Sequence, residues 1–424
     1  MRLLKYPSLG VALYCISIQA FGVETGVTAG LSTEWNDNVY LSSSDRQHDW
    51  LETLTLDANL NGSESSYQYG TRYNLSYKHY QNGSYGSNSY YNGNAFLNLV
   101  LVPERLQWYS SVESATTLID STQPNIPTNR DQRTTYMTSP MLTLISLPRD
   151  NLTLSAQASK VDYRESGQSD SDRAGGNLTW THTLSPLTQF SLMASHQKVN
   201  FTTVPDYKIV SYQAGIMRKI NGGDVEIDAG RSKITPNDGS EIEGASYTAN
   251  INWSSQEHSW HFQAYRDLTD STQGLSGSFG STGFVTPTDV NTGQVDIIVR
   301  TRYGLDYTYT PLATLRINSS LNWDDQKSKT RNADTLRKSA SFGVSRDLSQ
   351  DLSAGFDFSY EHNQTDQLLL SQIDIIKRYR ITLEKDFQKK LKVSGWIGRQ
   401  EDNRNLTGGD YEQHVIGAQI NYQF

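Results

Sequence analysis

The 424-residue chain is 36% hydrophobic, has a mean hydropathy of -0.59 and carries a formal charge of -8. Those values exclude a large dry globular core, and the acidic balance argues against nucleic acid as a partner. Disorder is excluded in turn by 25 Tyr, 12 Phe and 8 Trp, too many aromatics for a solvated chain.

Residues 1–22 read as a secretory signal. Arg2 and Lys5 precede an apolar stretch from Leu9 to Ala20, and Ala20-Phe21-Gly22 supplies a small-x-small site, so cleavage is expected before Val23. Pro7 and Gln19 leave too few apolar residues for a spanning helix, which needs about 20. Cys15, the one cysteine, falls inside this segment. Residues 23–424 therefore offer no disulfide and no cysteine metal site. Loss of Arg2 and Lys5 takes the formal charge from -8 to -10.

Beyond residue 23 the recurring pattern is period-two alternation in segments of about ten residues, the spacing of a strand with one apolar and one polar face. Leu54, Leu56, Ala58 and Leu60 oppose Thr55, Asp57 and Asn59. Tyr67, Tyr69, Thr71, Tyr73, Leu75 and Tyr77 oppose Gln68, Gly70, Arg72, Asn74, Ser76 and Lys78. Leu178, Trp180 and Leu184 oppose Thr179, Thr181 and Thr183, and Val295, Ile297, Val299, Tyr303, Leu305, Tyr307 and Tyr309 oppose Asp296, Arg300, Arg302, Asp306 and Thr308. One face suits lipid and the other water, which is how a transmembrane barrel crosses a bilayer without any run that is hydrophobic overall.

The connections alternate too. Short turns are expected at Pro103-Glu104, Pro148-Arg149, Ser185-Pro186, Asn221 to Asp224, Pro311-Leu312, Ser349-Gln350 and Gln388-Lys389. Longer polar stretches fall near 36–49, 81–88, 118–131, 164–172, 198–206, 234–242, 269–293, 324–334, 363–371 and 400–410. The expected fold is an all-β, transmembrane, antiparallel up-and-down β-barrel filling residues 23–424, with about 20 strands (18–20), short periplasmic turns and long extracellular loops. Aromatic girdles are expected at both interfaces: Trp108, Phe190, Trp253, Trp260, Tyr307, Tyr309 and Tyr422 at the turn end, Trp35, Trp50, Trp323 and Tyr360 at the loop end. The last strand alternates Ile416, Ala418, Ile420, Tyr422 and Phe424 against polar and small residues. Ending on Phe424, with Tyr422 two residues before it, it resembles the signal read by the outer-membrane barrel-insertion machinery. The expected location is the Gram-negative outer membrane, in contact with its lipid and lipopolysaccharide.

Residues 27–80 carry a family resemblance. An acidic-aromatic pair runs into Asp-Asn-Val (Glu34, Trp35, Asp37, Asn38, Val39), and a second pair, Asp49-Trp50, precedes a Thr/Ser/Leu-rich strand and then a Tyr-rich one. In this the chain resembles the β-barrel porins encoded beside exopolysaccharide and PEP-CTERM/exosortase genes. Leu-Ser/Thr-x-x-Leu turns such as Leu184 to Leu187 and Leu348 to Leu352 are also similar. The resemblance implies a role in exporting or accommodating a surface polysaccharide, with periplasmic export components as partners.

No Gly-x-Ser-x-Gly, His-Glu-x-x-His or phosphate loop is present, so neither an enzyme nor a cofactor or metal is expected. Asp45, His48 and Asp49 offer a weak acid/base cluster and Asp324-Asp325 a weak calcium pair. The informative polar residues are those on the lumen parity: Arg72, Lys78, Asp296, Arg300, Arg302, Asp306, Asp374, Arg378, Arg380 and Glu384. Mixed charges around a water-filled pore tune its selectivity, or pair and keep the lumen wet. Thr269 to Gly293, rich in Gly, Ser and Thr, is the candidate constriction. The readings left open are a polysaccharide conduit, a general or solute-selective porin, and a structural or adhesive barrel with a plugged lumen.

Overall fold

The computed structural model describes residues 24–119, 125–165, 170–202, 205–271, 296–330, 333–367, 370–387, 390–405 and 409–424. The expected signal segment 1–22, the turn Gln388-Lys389 and residues 272–293 of the candidate constriction lie outside them.

The described residues form twenty strands: β1 (Glu24–Asn36), β2 (Asp49–Glu64), β3 (Tyr67–Tyr80), β4 (Asn88–Val102), β5 (Leu106–Leu118), β6 (Arg130–Ser146), β7 (Asp150–Tyr163), β8 (Ser171–Ser185), β9 (Thr188–Phe201) and β10 (Tyr207–Ile220); then β11 (Gly223–Pro236), β12 (Ile242–Ser254), β13 (His258–Asp270), β14 (Ile297–Leu312), β15 (Leu315–Ser328), β16 (Ala333–Asp347), β17 (Leu352–Gln367), β18 (Leu370–Phe387), β19 (Leu391–Arg404) and β20 (Tyr411–Gln423). Each strand pairs antiparallel with its neighbours in sequence. β1 closes the ring on β20, from Thr28 opposite Gln423 to Asn36 opposite Val415. Closure removes the free sheet edges, the condition for crossing a bilayer with strands, because the backbone groups of one strand can then be paired by its two neighbours.

Register fixes the two faces. Leu31 stands opposite Leu54 and Ile420, and Leu54 opposite Tyr77. Leu31 is 59% exposed and Leu54 56% exposed on the outside, an apolar surface that needs lipid around it. The aromatics expected in the girdles all have the outward parity. Trp253 faces Trp260 across β12 and β13, the Trp260 and Tyr307 rings stack at 4.0 Å, and Trp35 faces Trp50. The opposite parity carries Asn, Gln, Ser, Thr and Gly with scattered charges.

The strand count matches the expectation, and its boundaries differ in instructive ways. Pro311 and Leu312 end β14, so that turn falls at Ala313-Thr314. Two turns, at Ser65-Ser66 and from Ser255 to Glu257, lack the Gly or Pro that marks such a site. At the loop end, pairing runs into stretches expected to be loop: β9 reaches Phe201, β15 reaches Ser328 and β17 reaches Gln367. Backbone pairing does not need an apolar face, so the ladder continues past the lipid.

Candidate functional site in the lumen

The main feature of the interior is where β13 and β14 go at the loop end. β12 pairs with β13 only as far as Tyr247 opposite Arg266, yet β12 continues with β11 to Ile242, and β13 with β14 to Asp270 opposite Ile297. Beyond Arg266 β13 and β14 thus part from β12, while β14 stays paired with β15 as far as Ile298 opposite Ser328. Leu268, Ile297 and Val299, of outward parity, then pack with Val199, Tyr207 and Ile234, which face the lumen from β9, β10 and β11. The hairpin end lies inside the barrel, its outer face on the inner wall. Gly244 permits the approach: a Cβ there would stand 3.3 Å from the Leu268 Cβ.

A buried ion pair fastens this end. Arg173 on β8 donates to both carboxylate oxygens of Asp270 at 2.9 and 3.1 Å, five strands away in the ring. The Tyr207 hydroxyl donates to the same carboxylate. Below it, Ser211 donates to Ser232 at 3.0 Å and Ser232 to Asp267 at 2.8 Å. A bidentate pair with the guanidinium 3% exposed sets one geometry, since partial contact would strand desolvated charge.

Two sequence assignments are thereby corrected. Ile297 and Val299, expected to meet lipid, are buried inside because their part of β14 has turned over the lumen. Asp296 precedes β14 and does not line the wall: its carboxylate accepts from Thr330 and its amide donates to Ser271 at 3.0 Å. Of the candidate constriction, Thr269 and Asp270 belong to β13.

The remaining candidates have the inward parity expected of them, and most are paired. Asp324 takes Arg300 at 2.6 Å and Arg302 at 2.5 Å. Glu361 takes Arg337 and, at 3.1 Å, Arg378, which also donates to Gln400 at 2.9 Å. Arg404 meets Asp402 at 2.8 Å and Asp374 at 3.9 Å. Glu384 meets Lys392 at 2.6 Å. Together they form a nearly balanced belt of arginines and carboxylates along β14–β19, concentrated at the loop end. Arg380 instead lies over the Trp396 ring at 4.7 Å, Lys78 lies 5.9 Å from the Tyr90 ring centroid, and Arg72 is exposed. Asp306 stands opposite Ser320 and His261. Asp325, one residue from Asp324, has the opposite parity, so the two do not converge on a cation. Among the described residues no His/Cys/Asp/Glu group has metal-binding geometry.

The residues at 34–50 gather at the seam where the ring closes. Glu34 faces the lumen and accepts from the Trp396 indole at 2.9 Å. Asp37 accepts from the His414 amide at 2.6 Å. Asn38, fully buried, donates to the carbonyls of Ser42 and Glu412 at 2.9 and 3.0 Å. Asp49, 1% exposed, accepts from the amides of Trp50, Asn82 and Ser84 and from the Ser84 hydroxyl at 2.5 Å. With its oxygens so occupied, Asp49 is a clasp between two loops rather than half of an acid/base pair with His48. Tyr85 donates to the carbonyl of Val39 at 3.4 Å, and burial pushes its phenol up to about 12. At the other end of the seam the Phe424 amide donates to Val27 at 3.0 Å, and its ring meets Tyr422 edge-on at 5.1 Å.

Sequence reading missed Arg173 and Tyr207, and included Asp270 only as part of the Thr269 to Gly293 stretch. Only the short run Asp267-Leu268-Thr269-Asp270, where a leucine falls between acids outside the apolar band, hints that alternation changes meaning there.

A closed antiparallel barrel with an apolar girdled outside and a polar inside is a membrane-spanning β-barrel, of the architecture found in bacterial outer membranes. No protein-family model and no curated protein matches the chain. Solved structures similar to it in fold include the FrpB iron transporter of Neisseria meningitidis in apoprotein form, at 11% identity and a TM-score of 0.46, covering 94% of this chain and 81% of that one. A mutant of the ferric enterobactin receptor PfeA of Pseudomonas aeruginosa matches at 10% identity and a TM-score of 0.47, covering 96% and 82%. Pseudomonas aeruginosa OpdO matches at 11% identity and a TM-score of 0.42, covering 95% and 97%.

Proposed function

We propose that this protein is an outer-membrane channel that conducts a surface polysaccharide, with the inward-folded end of β13–β14 as its constriction. The supporting observation is the chemistry of the lumen wall. Asn59, Asn74, Asn92, Asn94, Gln419 and Asn421 have the inward parity on β2–β4 and β20, and the charges across from them on β14–β19 are mostly paired. Such a wall offers many weak hydrogen bonds and few strong ones, so a hydrophilic chain can slide without being held. The resemblance of residues 34–50 to the exopolysaccharide-linked barrel family supports the same reading. On it the signal segment is cleaved before Val23 and periplasmic export components feed the channel.

The test is single-channel conductance in planar bilayers with and without polysaccharide fragments, joined to the surface-polymer phenotype of a deletion strain. Steps that fragments block, together with loss of the polymer, support the conduit. Conductance indifferent to fragments with normal polymer makes it a solute porin, and no conductance makes it a structural barrel.

A further inference from the structure

The outer wall carries a cationic patch on β9–β11 that the barrel's own fold does not use. Lys198 and Lys208 both have the outward parity and stand directly opposite each other. Residues so placed hold their Cβ atoms about 5 Å apart, and like charges there destabilise a sheet. His196 is diagonal to Lys208 on the same face, and Arg231 stands opposite Tyr212, further toward the apolar band. Among the described residues Lys198, Lys208 and Arg231 form no ion pair. The nearby carboxylates are Glu241, which takes Lys233 at 2.6 Å, Glu243, opposite Lys233, Asp172, diagonal to Lys198, and Asp206, two residues before Lys208, which accepts from the Phe201 amide at 3.0 Å. The same level on β19 and β20 is built differently: Arg399 there meets Glu401 at 2.8 Å and Glu412 at 2.7 Å, and His414 meets Asp37 at 3.0 Å.

The patch lies just outward of the apolar surface. Below Lys208 on β10 come Val210, Tyr212, Ala214 and Ile216, with Tyr212 63% exposed. A ligand that meets both features has an anionic head at the lysine pair and an apolar tail along Tyr212 and Ile216. In an otherwise acidic protein, two apposed lysines above an apolar strip select an anionic amphiphile over a protein surface. We infer that the β9–β11 face is a binding site for the phosphorylated headgroup of an outer-leaflet lipid, of the lipid A type, with Lys198 and Lys208 sharing one phosphate and Arg231 reaching it from the tyrosine level.

The test uses the full chain purified in detergent and incubated with bis-phosphorylated lipid A or with the same lipid freed of phosphate, bound lipid being read by native mass spectrometry. Lys198→Ser/Lys208→Ser is compared with Lys338→Ser/Lys377→Ser, two lysines of outward parity on β16 and β18 away from the patch, and folding of each is confirmed by the heat-dependent gel shift of barrels. The first variant is expected to bind phosphorylated lipid A roughly thirtyfold more weakly, about a factor of five for each lysine removed near an anionic lipid surface. The control should bind as the parent does. Equal binding by the Lys198/Lys208 variant, equal binding of the phosphate-free lipid, an equal loss in the control pair, or displacement by millimolar inorganic phosphate would each overturn the assignment.

Discussion

Replacing Asp270 with alanine is expected to release the end of β13–β14 from the inner wall and enlarge the channel. The Arg173 guanidinium is 3% exposed and meets Asp270 through two hydrogen bonds. Removing the carboxylate from a charge that stays desolvated costs about 3–5 kcal/mol. At about 1.4 kcal/mol for each factor of ten, that moves the docked-to-released ratio by roughly two to three and a half powers of ten. Leu268, Ile297 and Val299 still favour docking, so the variant should flicker between levels rather than open permanently. Single-channel recording reads this directly as more frequent and larger conductance steps. A second variant, Arg173→Met/Asp270→Leu, separates charge from packing, because apolar groups of similar volume replace a buried pair at little cost. It should return conductance to the parental level. Parental conductance in a folded Asp270→Ala protein, or a double variant as open as the single one, would refute the latch.

Three further outcomes follow from the same geometry. Asp49→Ala strips the shared acceptor from Asn82 and Ser84 and should cost about 1–3 kcal/mol, seen as a lower midpoint of the heat-dependent gel shift with the barrel otherwise intact; an unmoved midpoint would deny Asp49 its clasp role. Asp324→Asn leaves the paired charges of Arg300 and Arg302 without their carboxylate, so reversal potentials in a salt gradient should move toward anion selectivity, and an unchanged potential would place this pair away from the ion path. Deleting Phe424 removes the aromatic that follows β20 and one seam hydrogen bond, and outer-membrane levels in cell fractions should fall while total synthesis holds; normal levels would show that Phe424 is no insertion signal.

Most of the wall was legible in the sequence because strand alternation is a local rule. The Tyr67–Tyr80 register, the two girdles and the polar parity of Arg72, Lys78, Arg300, Arg302, Arg378 and Arg380 all follow from whether a residue number is odd or even within its strand. Turn positions were legible where Gly marked them, at Asn221 to Asp224, displaced by two residues where Pro311 marked one, and hidden where serines did the work, at Ser65-Ser66. The loop clasp was half legible. Asp37, Asn38 and Asp49 stood out as a motif, but their partners Glu412, His414 and Ser84 come from elsewhere in the chain.

Local patterning alone sufficed for a closed, two-faced barrel of about 20 strands (18–20), since period-two alternation and alternating connection lengths require no knowledge of distant contacts. Which outward residues stay outward depends on packing between distant strands. Ile297 and Val299 obey the same alternation as Leu305 and Tyr307, yet they are buried inside because β13 parts from β12 after Arg266. That departure is set by contacts of β13 and β14 with β8, β9, β10 and β11, the Arg173–Asp270 pair among them joining residues 97 apart in sequence. Parity assigns a side chain to a face of its own sheet; it does not say what that face meets when the sheet folds over.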